Sequence, residues 1–125
     1  MGTYTSISIR EPSAPASAPA GSRVYVELRI LNLWSYGFYV YAIGILGTTD
    51  SFIDWQKAWI GAGQAKAFFG SFIMPSVDSV INAYSYYEDA QGQARYDDSA
   101  SKAITVEAMA EAEFRNLVCS YGRVS

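Results

Sequence analysis

At 125 residues the chain has the length of one domain, and half of its residues are hydrophobic, enough for a core without disulfide staples. Its net charge of −3 arises from 12 acidic and 9 basic residues, and the basic ones never run together, which excludes the phosphate-tracking patch of a nucleic-acid-binding protein. Histidine is absent and Cys119 is the single cysteine, so intramolecular disulfides, Cys/His zinc sites and histidine-based nucleophilic arrangements are excluded as well.

The apolar residues are of a particular kind. Ten Tyr and six Phe accompany many Val and Ile, residues that fit a pleated, half-buried surface, which predicts an all-β fold. The first predicted strand, Tyr4–Arg10, alternates Ile7 and Ile9 with Ser6 and Ser8. The stretch from Glu11 to Gly21 holds three prolines, which favour extended, donor-poor backbone; it reads as a stiff crossover to the next strand or, alternatively, as a linker or partner-contacting motif. Ser22–Leu33 gives the clearest pattern: Val24, Val26, Leu28 and Ile30 share one face, and Arg23, Tyr25, Glu27 and Arg29 the other.

A turn at Asn32–Ser35 leads into Tyr36–Leu46, apolar on both faces, as expected of a central strand or of one whose outer face meets something. Phe52–Ile60 is patterned weakly; it reads as an edge strand or a wrapped loop, and the four-residue spacing of Trp55 and Trp59 also allows a helical turn. Ala65–Met74 and Ser76–Tyr87 are the next strands, Glu88–Ser101 is a polar loop with its tip at Gln91–Gln93, and Lys102–Val106 is a short last strand. That makes seven strands in residues 1–106.

From Glu107 the composition changes. Residues 107–125 form a C-terminal extension, either a short amphipathic helix with Ala110, Phe114, Leu117 and Val118 on one face, or an extended arm from Phe114 to Tyr121. At the other end, Met1–Ser6 lacks the basic start and apolar run of a secretory signal, and Gly2 with Ser6 makes only a short, non-specific acylation pattern. The longest apolar stretch, Tyr36–Gly47, falls short of the ~20 residues that a membrane helix needs. Nothing here predicts a membrane segment or marks the chain for export.

Two sets of side chains stand out as candidate sites. Glu88, Asp89, Asp97 and Asp98 flank one predicted hairpin, where they are either solvated loop charges or oxygen ligands converging on Ca²⁺, although their spacing departs from an EF-hand loop. The aromatic residues exceed what one small core needs. Trp34, Tyr39, Tyr41, Trp55, Trp59 and Tyr86 are the candidate interaction anchors, and the extension adds Phe114, Leu117 and Tyr121. The competing reading puts most of these rings in the core or over its edges, and a third makes them a sugar-stacking platform. Gly61-Ala62-Gly63 lacks the partners of a phosphate loop and reads as a turn. No set of residues predicts a catalytic centre or a bound cofactor.

Two local patterns carry a family resemblance. The Pro/Ala-rich crossover is followed by Ala20-Gly21-Ser22-Arg23-Val24-Tyr25-Val26 and then Asn32-Leu33. Further on, Ala62-Gly63-Gln64 leads to Phe68–Pro75, Ala83–Tyr87 and Asp97-Asp98. Over Tyr4–Val106 the chain resembles immunoglobulin-like modules of the CARDB type, which recur in prokaryotic surface proteins and phage virion proteins. The resemblance implies a seven-stranded antiparallel β-sandwich with adhesive or structural duty, and it carries over no functional residues.

With no export signal, the expectation is a non-catalytic virion component, made in the host cytoplasm. It would be a capsid decoration or tail-associated protein that binds neighbouring subunits or copies of itself. The alternative is a cell-surface adhesion or carbohydrate-binding module.

Overall fold

A computed structural model describes residues 1–13 and 15–107. The chain forms eight strands in order: β1 (Thr5–Glu11), β2 (Ser17–Pro19), β3 (Arg23–Asn32), β4 (Phe38–Leu46), β5 (Asp50–Ile60), β6 (Ala65–Ile73), β7 (Ser79–Glu88) and β8 (Ala94–Glu107). They make two sheets, one ordered β1-β3-β6 and the other β2-β8-β7-β4-β5. The inner positions of both sheets fill one core. Leu28 and Ile30 of β3 face Val40, Ala42, Ile53, Ile81 and Ile104 of the larger sheet, and all seven are fully buried. The alternation of β3 is the alternation read from its sequence.

Three expectations need correction. The described residues hold eight strands and not seven, because the Pro-rich segment contains β2, which pairs in parallel with β8 (Ser17 with Thr105, Pro19 with Glu107). The sandwich is therefore not wholly antiparallel. The segment does cross over, leaving β1 of one sheet, adding a short edge to the other and burying Ala16 and Ala18 on the way to β3. Its prolines suit such an edge, where a missing N–H breaks no ladder.

The third correction concerns the polar stretch before the last strand. Most of it is the first half of β8, which starts at Ala94 and pairs with β7 as far as Ser79–Ile104. The loop proper is 89–93, its tip at the residues expected. Glu107, counted above with the extension, ends β8; the rest of the helix-or-arm segment, with Phe114, Leu117 and Tyr121, lies outside the described residues.

The two sheets are laced together along both open sides. On one, β1 approaches β8, and Asp97 and Asp98 reach across the gap. Asp97 is the extra residue of a β-bulge between the pairs Ser85–Asp98 and Tyr86–Tyr96, so two consecutive carboxylates aim at β1, which regular alternation would forbid. Asp97 accepts from the backbone N–H groups of Thr3 (3.2 Å), Tyr4 (3.2 Å) and Thr5 (2.6 Å) and from the Thr5 hydroxyl (2.6 Å), while Asp98 accepts from the Ile7 N–H (2.9 Å). On the other side Gln56 of β5 donates to the Phe69 carbonyl of β6 at 2.9 Å. Gly70 makes this approach possible, since a Cβ there would strike the Phe52 carbonyl and the Ile53 side chain.

Candidate interaction face

The outer face of the five-stranded sheet is built from aromatic rings. Register explains it: Tyr39 of β4 stands opposite Trp59 of β5, and one row across the sheet runs Lys57 (β5), Tyr41 (β4), Tyr86 (β7), Tyr96 (β8). Cross-strand neighbours of this kind lie about 4.5–5.5 Å apart at their Cβ atoms, so their rings meet. Tyr39 and Trp59 have ring centroids 5.1 Å apart, Tyr86 and Tyr96 5.8 Å, and Tyr84 and Tyr96 6.3 Å.

Trp55 joins the row by a backbone device. Between Gln56, opposite Ala42, and Ile53, opposite Gly44, β5 carries two residues where β4 carries one, and Trp55 there has φ of 51°. A bulky residue in the left-handed region costs of order 1–3 kcal/mol. The bulge reverses the facing of the strand: Ile53 points inward and is fully buried, whereas Trp55, Lys57 and Trp59 all belong to the outer side. The indole of Trp55 lies 4.8 Å from the Tyr86 ring and 5.9 Å from that of Tyr41. The helical turn allowed by the spacing of Trp55 and Trp59 is therefore replaced by a strand in which every second residue faces out.

A charged pair sits among these rings. Glu88 Oε1 accepts from the Tyr41 hydroxyl at 2.7 Å and from the Lys57 ammonium at 3.2 Å, and that ammonium lies 4.5 Å above the Tyr39 ring. The hydrogen bond from Tyr41, then that from Lys57, holds the Glu88 carboxyl below its ordinary range, and the same carboxylate raises both Lys57 and the Tyr41 hydroxyl.

At one end of the sandwich the face runs into an open cleft of about 520 Å³, between the β3–β4 loop and the β7–β8 hairpin. Asn32, fully buried, organises the first wall: its side chain donates to the Tyr36 and Ile60 carbonyls (3.0 Å each) and accepts from the Trp34 N–H at 2.7 Å. Trp59 lies over Gly37, where a Cβ would come within 2.7 Å of its ring. Asp89 shapes the second wall, accepting from the Gln91 and Gln93 N–H groups (2.9 Å each) and from Arg95 Nε (2.7 Å); the Arg95 bond, above all, keeps its carboxyl below the ordinary range.

The candidate residues thus fall into separate places. Tyr39, Tyr41, Trp55, Trp59 and Tyr86 come together on the face. Trp34 does not: it is partly buried at the sandwich end against Tyr4, with centroids 4.5 Å apart. Tyr96, 55% exposed, also belongs to the face; the sequence does not single it out, because it lies in a polar stretch that reads as loop.

The acidic quartet does not converge. Glu88 serves the face, Asp89 caps the hairpin, and Asp97 and Asp98 lace β8 to β1; no group of three or more potential metal ligands occurs among the described residues. The calcium reading of these four loses its geometric basis, and the solvated-loop reading fails for Asp97 and Asp98, which are structural.

Solved structures share this architecture at low identity. One chain of the complex between Zinc 2-glycoprotein and Prolactin inducible protein from human seminal plasma superposes with a TM-score of 0.64 and 13% identity, covering 86% of this chain and 97% of that one. A CARDB domain from Pyrococcus furiosus, solved in complex with di-metal ions, gives 0.62 and 13%, covering 86% and 92%. The fold is immunoglobulin-like. The sporulation control protein Spo0M of Bacillus subtilis follows with a TM-score of 0.54 and 14% identity over 87% of this chain and 51% of its own. No family model matches the sequence, and no curated protein does. The likeness to the CARDB type therefore stands at the level of the immunoglobulin-like fold.

Proposed function

We propose that this chain is a non-catalytic interaction protein that docks the outer face of its five-stranded sheet on neighbouring protein subunits, as a component of a phage or virus particle. The observation that carries the reading is the continuous row of rings on that face. Tyr39, Trp55, Trp59 and Tyr96 are each 40% or more exposed although the core is complete without them. Contiguous apolar surface of this kind marks interaction sites, and Tyr and Trp are the usual anchors. Lys57 and Glu88, the charged residues set among the rings, are paired with each other.

The sugar-binding alternative draws less support. A sugar-binding platform calls for rings lying in one plane, but neighbouring rings here cross at 54–78° and present no flat surface the size of a sugar chain. Such a ridged surface suits the irregular relief of a protein.

The test replaces Trp55, Trp59 and Tyr96 together by Ser and follows copy number on purified particles, alongside sedimentation of the free protein. The parent is expected at fixed stoichiometry, with the variant folded but lost. A parent chain absent from particles overturns the virion assignment, and a triple variant that assembles like the parent overturns the choice of face.

A further inference from the structure

We propose that the cleft at the end of this face accepts a cationic side chain, a guanidinium or ammonium, presented by the partner protein. The inference rests on the protein-docking reading and specifies what the partner must carry. Six rings line the cleft, from Tyr4, Tyr36, Phe38, Tyr39, Trp59 and Tyr87. The charged residues among its described lining are Glu88 and Asp89, with no Lys or Arg. Ring faces carry negative potential and attract cations, most strongly where water is partly excluded, and carboxylates at the rim add to that field while opposing any anion.

The protein already displays this chemistry at the cleft wall. Lys57 does not line the cleft, yet its ammonium lies over Tyr39, 4.5 Å from the centroid, and 3.2 Å from Glu88, two residues that do line it. Ring and carboxylate together are a cation-holding pair, and Lys57 is their internal occupant. An incoming guanidinium competes with it for Glu88 while stacking on the exposed Tyr36 and Trp59. Asp89 is tied to Arg95 and to the hairpin backbone, so Glu88 carries the exchange.

This exchange sets the size and place of the expected gain. Removing any surface lysine lowers the local positive potential and favours a cation slightly, whereas removing Lys57 vacates a place, so the gain is larger and falls at Tyr36 and Trp59. The experiment titrates acetyl-Gly-Arg-Gly-amide, and the same peptide with citrulline for Arg, into the full chain, following backbone amide and Trp59 indole resonances by NMR. The Arg peptide is expected to bind about 3-fold or more tightly than the citrulline peptide, as a weak exposed cation–π contact implies.

Lys57→Met is expected to tighten Arg-peptide binding about 3-fold without changing the citrulline peptide, and Glu88→Gln to abolish the preference. Both side chains are at the surface, and a thermal melt of each variant confirms that the fold is kept. Equal binding of the two peptides overturns the proposal, as does weaker Arg binding by Lys57→Met or resonance changes away from Tyr36 and Trp59. These outcomes leave the docking face untouched, because loss of particle assembly by the Trp55/Trp59/Tyr96 variant is measured without the peptide. Conversely, Arg selectivity in a protein whose triple variant still assembles upholds the cationic site and removes the docking face.

Discussion

Asp97 and Asp98 at the β1–β8 side and the rings over β4, β5, β7 and β8 make opposite use of polar and apolar groups. The carboxylates are turned inward and employed by the fold: Asp97 accepts from the backbone of Thr3–Thr5 at the entry to β1 and from the Thr5 hydroxyl. The rings are turned outward after the core is complete. Residues that look available in a sequence, acids in a polar stretch, are consumed by the fold, and residues that look like core remain free. Availability for a partner follows from what each group has already satisfied, not from its polarity.

The largest expected effect breaks the first half of that comparison. Asp97→Ala strips the acceptor from three backbone N–H groups and from the buried Thr5 hydroxyl. Charged hydrogen bonds contribute about 1.5–3 kcal/mol, and a buried unsatisfied donor costs about 1–3, so a loss of about 3 kcal/mol is expected after partial rehydration. For a domain of this size that lowers Tm by about 12 °C. Asp97→Asn keeps one acceptor oxygen and recovers part of the loss. Thermal melts of the two variants decide it: equal, small shifts from both would mean that β1 holds to β8 by packing alone.

Next comes the outward half. Single Trp→Ser changes at interface anchors cost about 2 kcal/mol or more, so Trp59→Ser is expected to weaken assembly about 30-fold while leaving the melt nearly unchanged. A matched control is Tyr25→Ser on the three-stranded sheet. Tyr25 is 71% exposed, more than Trp59 at 53%, but it stands opposite Ser71 between Arg23 and Glu27 and shares its groove with a single exposed ring, Phe69, and not with a row of them. Equal losses from the two variants would show that exposure, not contiguity, makes the contact.

A milder change disturbs Trp59 without removing it. At Gly37 a methyl group would lie 2.7 Å from the indole, so Gly37→Ala has to push the ring off its seat. The expected result is a shifted Trp emission and assembly weakened several-fold, with a stability change within about 1 kcal/mol. An unchanged emission spectrum would mean that the indole does not rest on this backbone.

Much of the fold is legible in the sequence, and where the alternation of β5 and β8 misleads, the physical cause is the same. β3 keeps strict alternation over its length, with one buried face, and was read correctly. β5 is the edge strand of the two readings open to it, but its weak pattern, like the loop reading of the first half of β8, comes from a bulge that reverses which residues face inward. Ile53 and Trp55 are both odd-numbered yet face opposite ways, as do the even-numbered Tyr96 and Asp98. A period-two pattern cannot survive such a reversal.

β2 was hidden by the prolines that suit it to an edge. The surplus of Tyr and Trp was legible as a candidate surface. Its division between the face and the end cluster of Trp34 was not, because that depends on register between strands far apart in the chain. Neither was Asn32, whose side chain shapes the turn through Trp34 and Tyr36 and ties it to β5 through the distant Ile60 carbonyl.

The smallest expected effect lies in the pairing of Lys57 with Glu88, the one place where the outward face uses charge as the inward carboxylates do. The Glu88 carboxyl is held below its ordinary value of 4.5, so the pair adds stability above that pH and loses it as pH falls through the lowered value. Lys57 and the Tyr41 hydroxyl are raised above 10.5 and 10.0, so the same triad persists below those values and is lost as pH climbs past the raised ones. Between these limits its contribution is flat. All three groups are open to solvent and screened by salt, so the contribution is slight. The check compares urea midpoints of the parent and Glu88→Gln from pH 3 to pH 9. A small, constant gap is expected at neutral pH, closing only below 4.5 and shrinking with added salt. If the gap instead closes well above that pH, Glu88 is not held by Tyr41 and Lys57, and the face presents a free carboxylate to whatever docks on it.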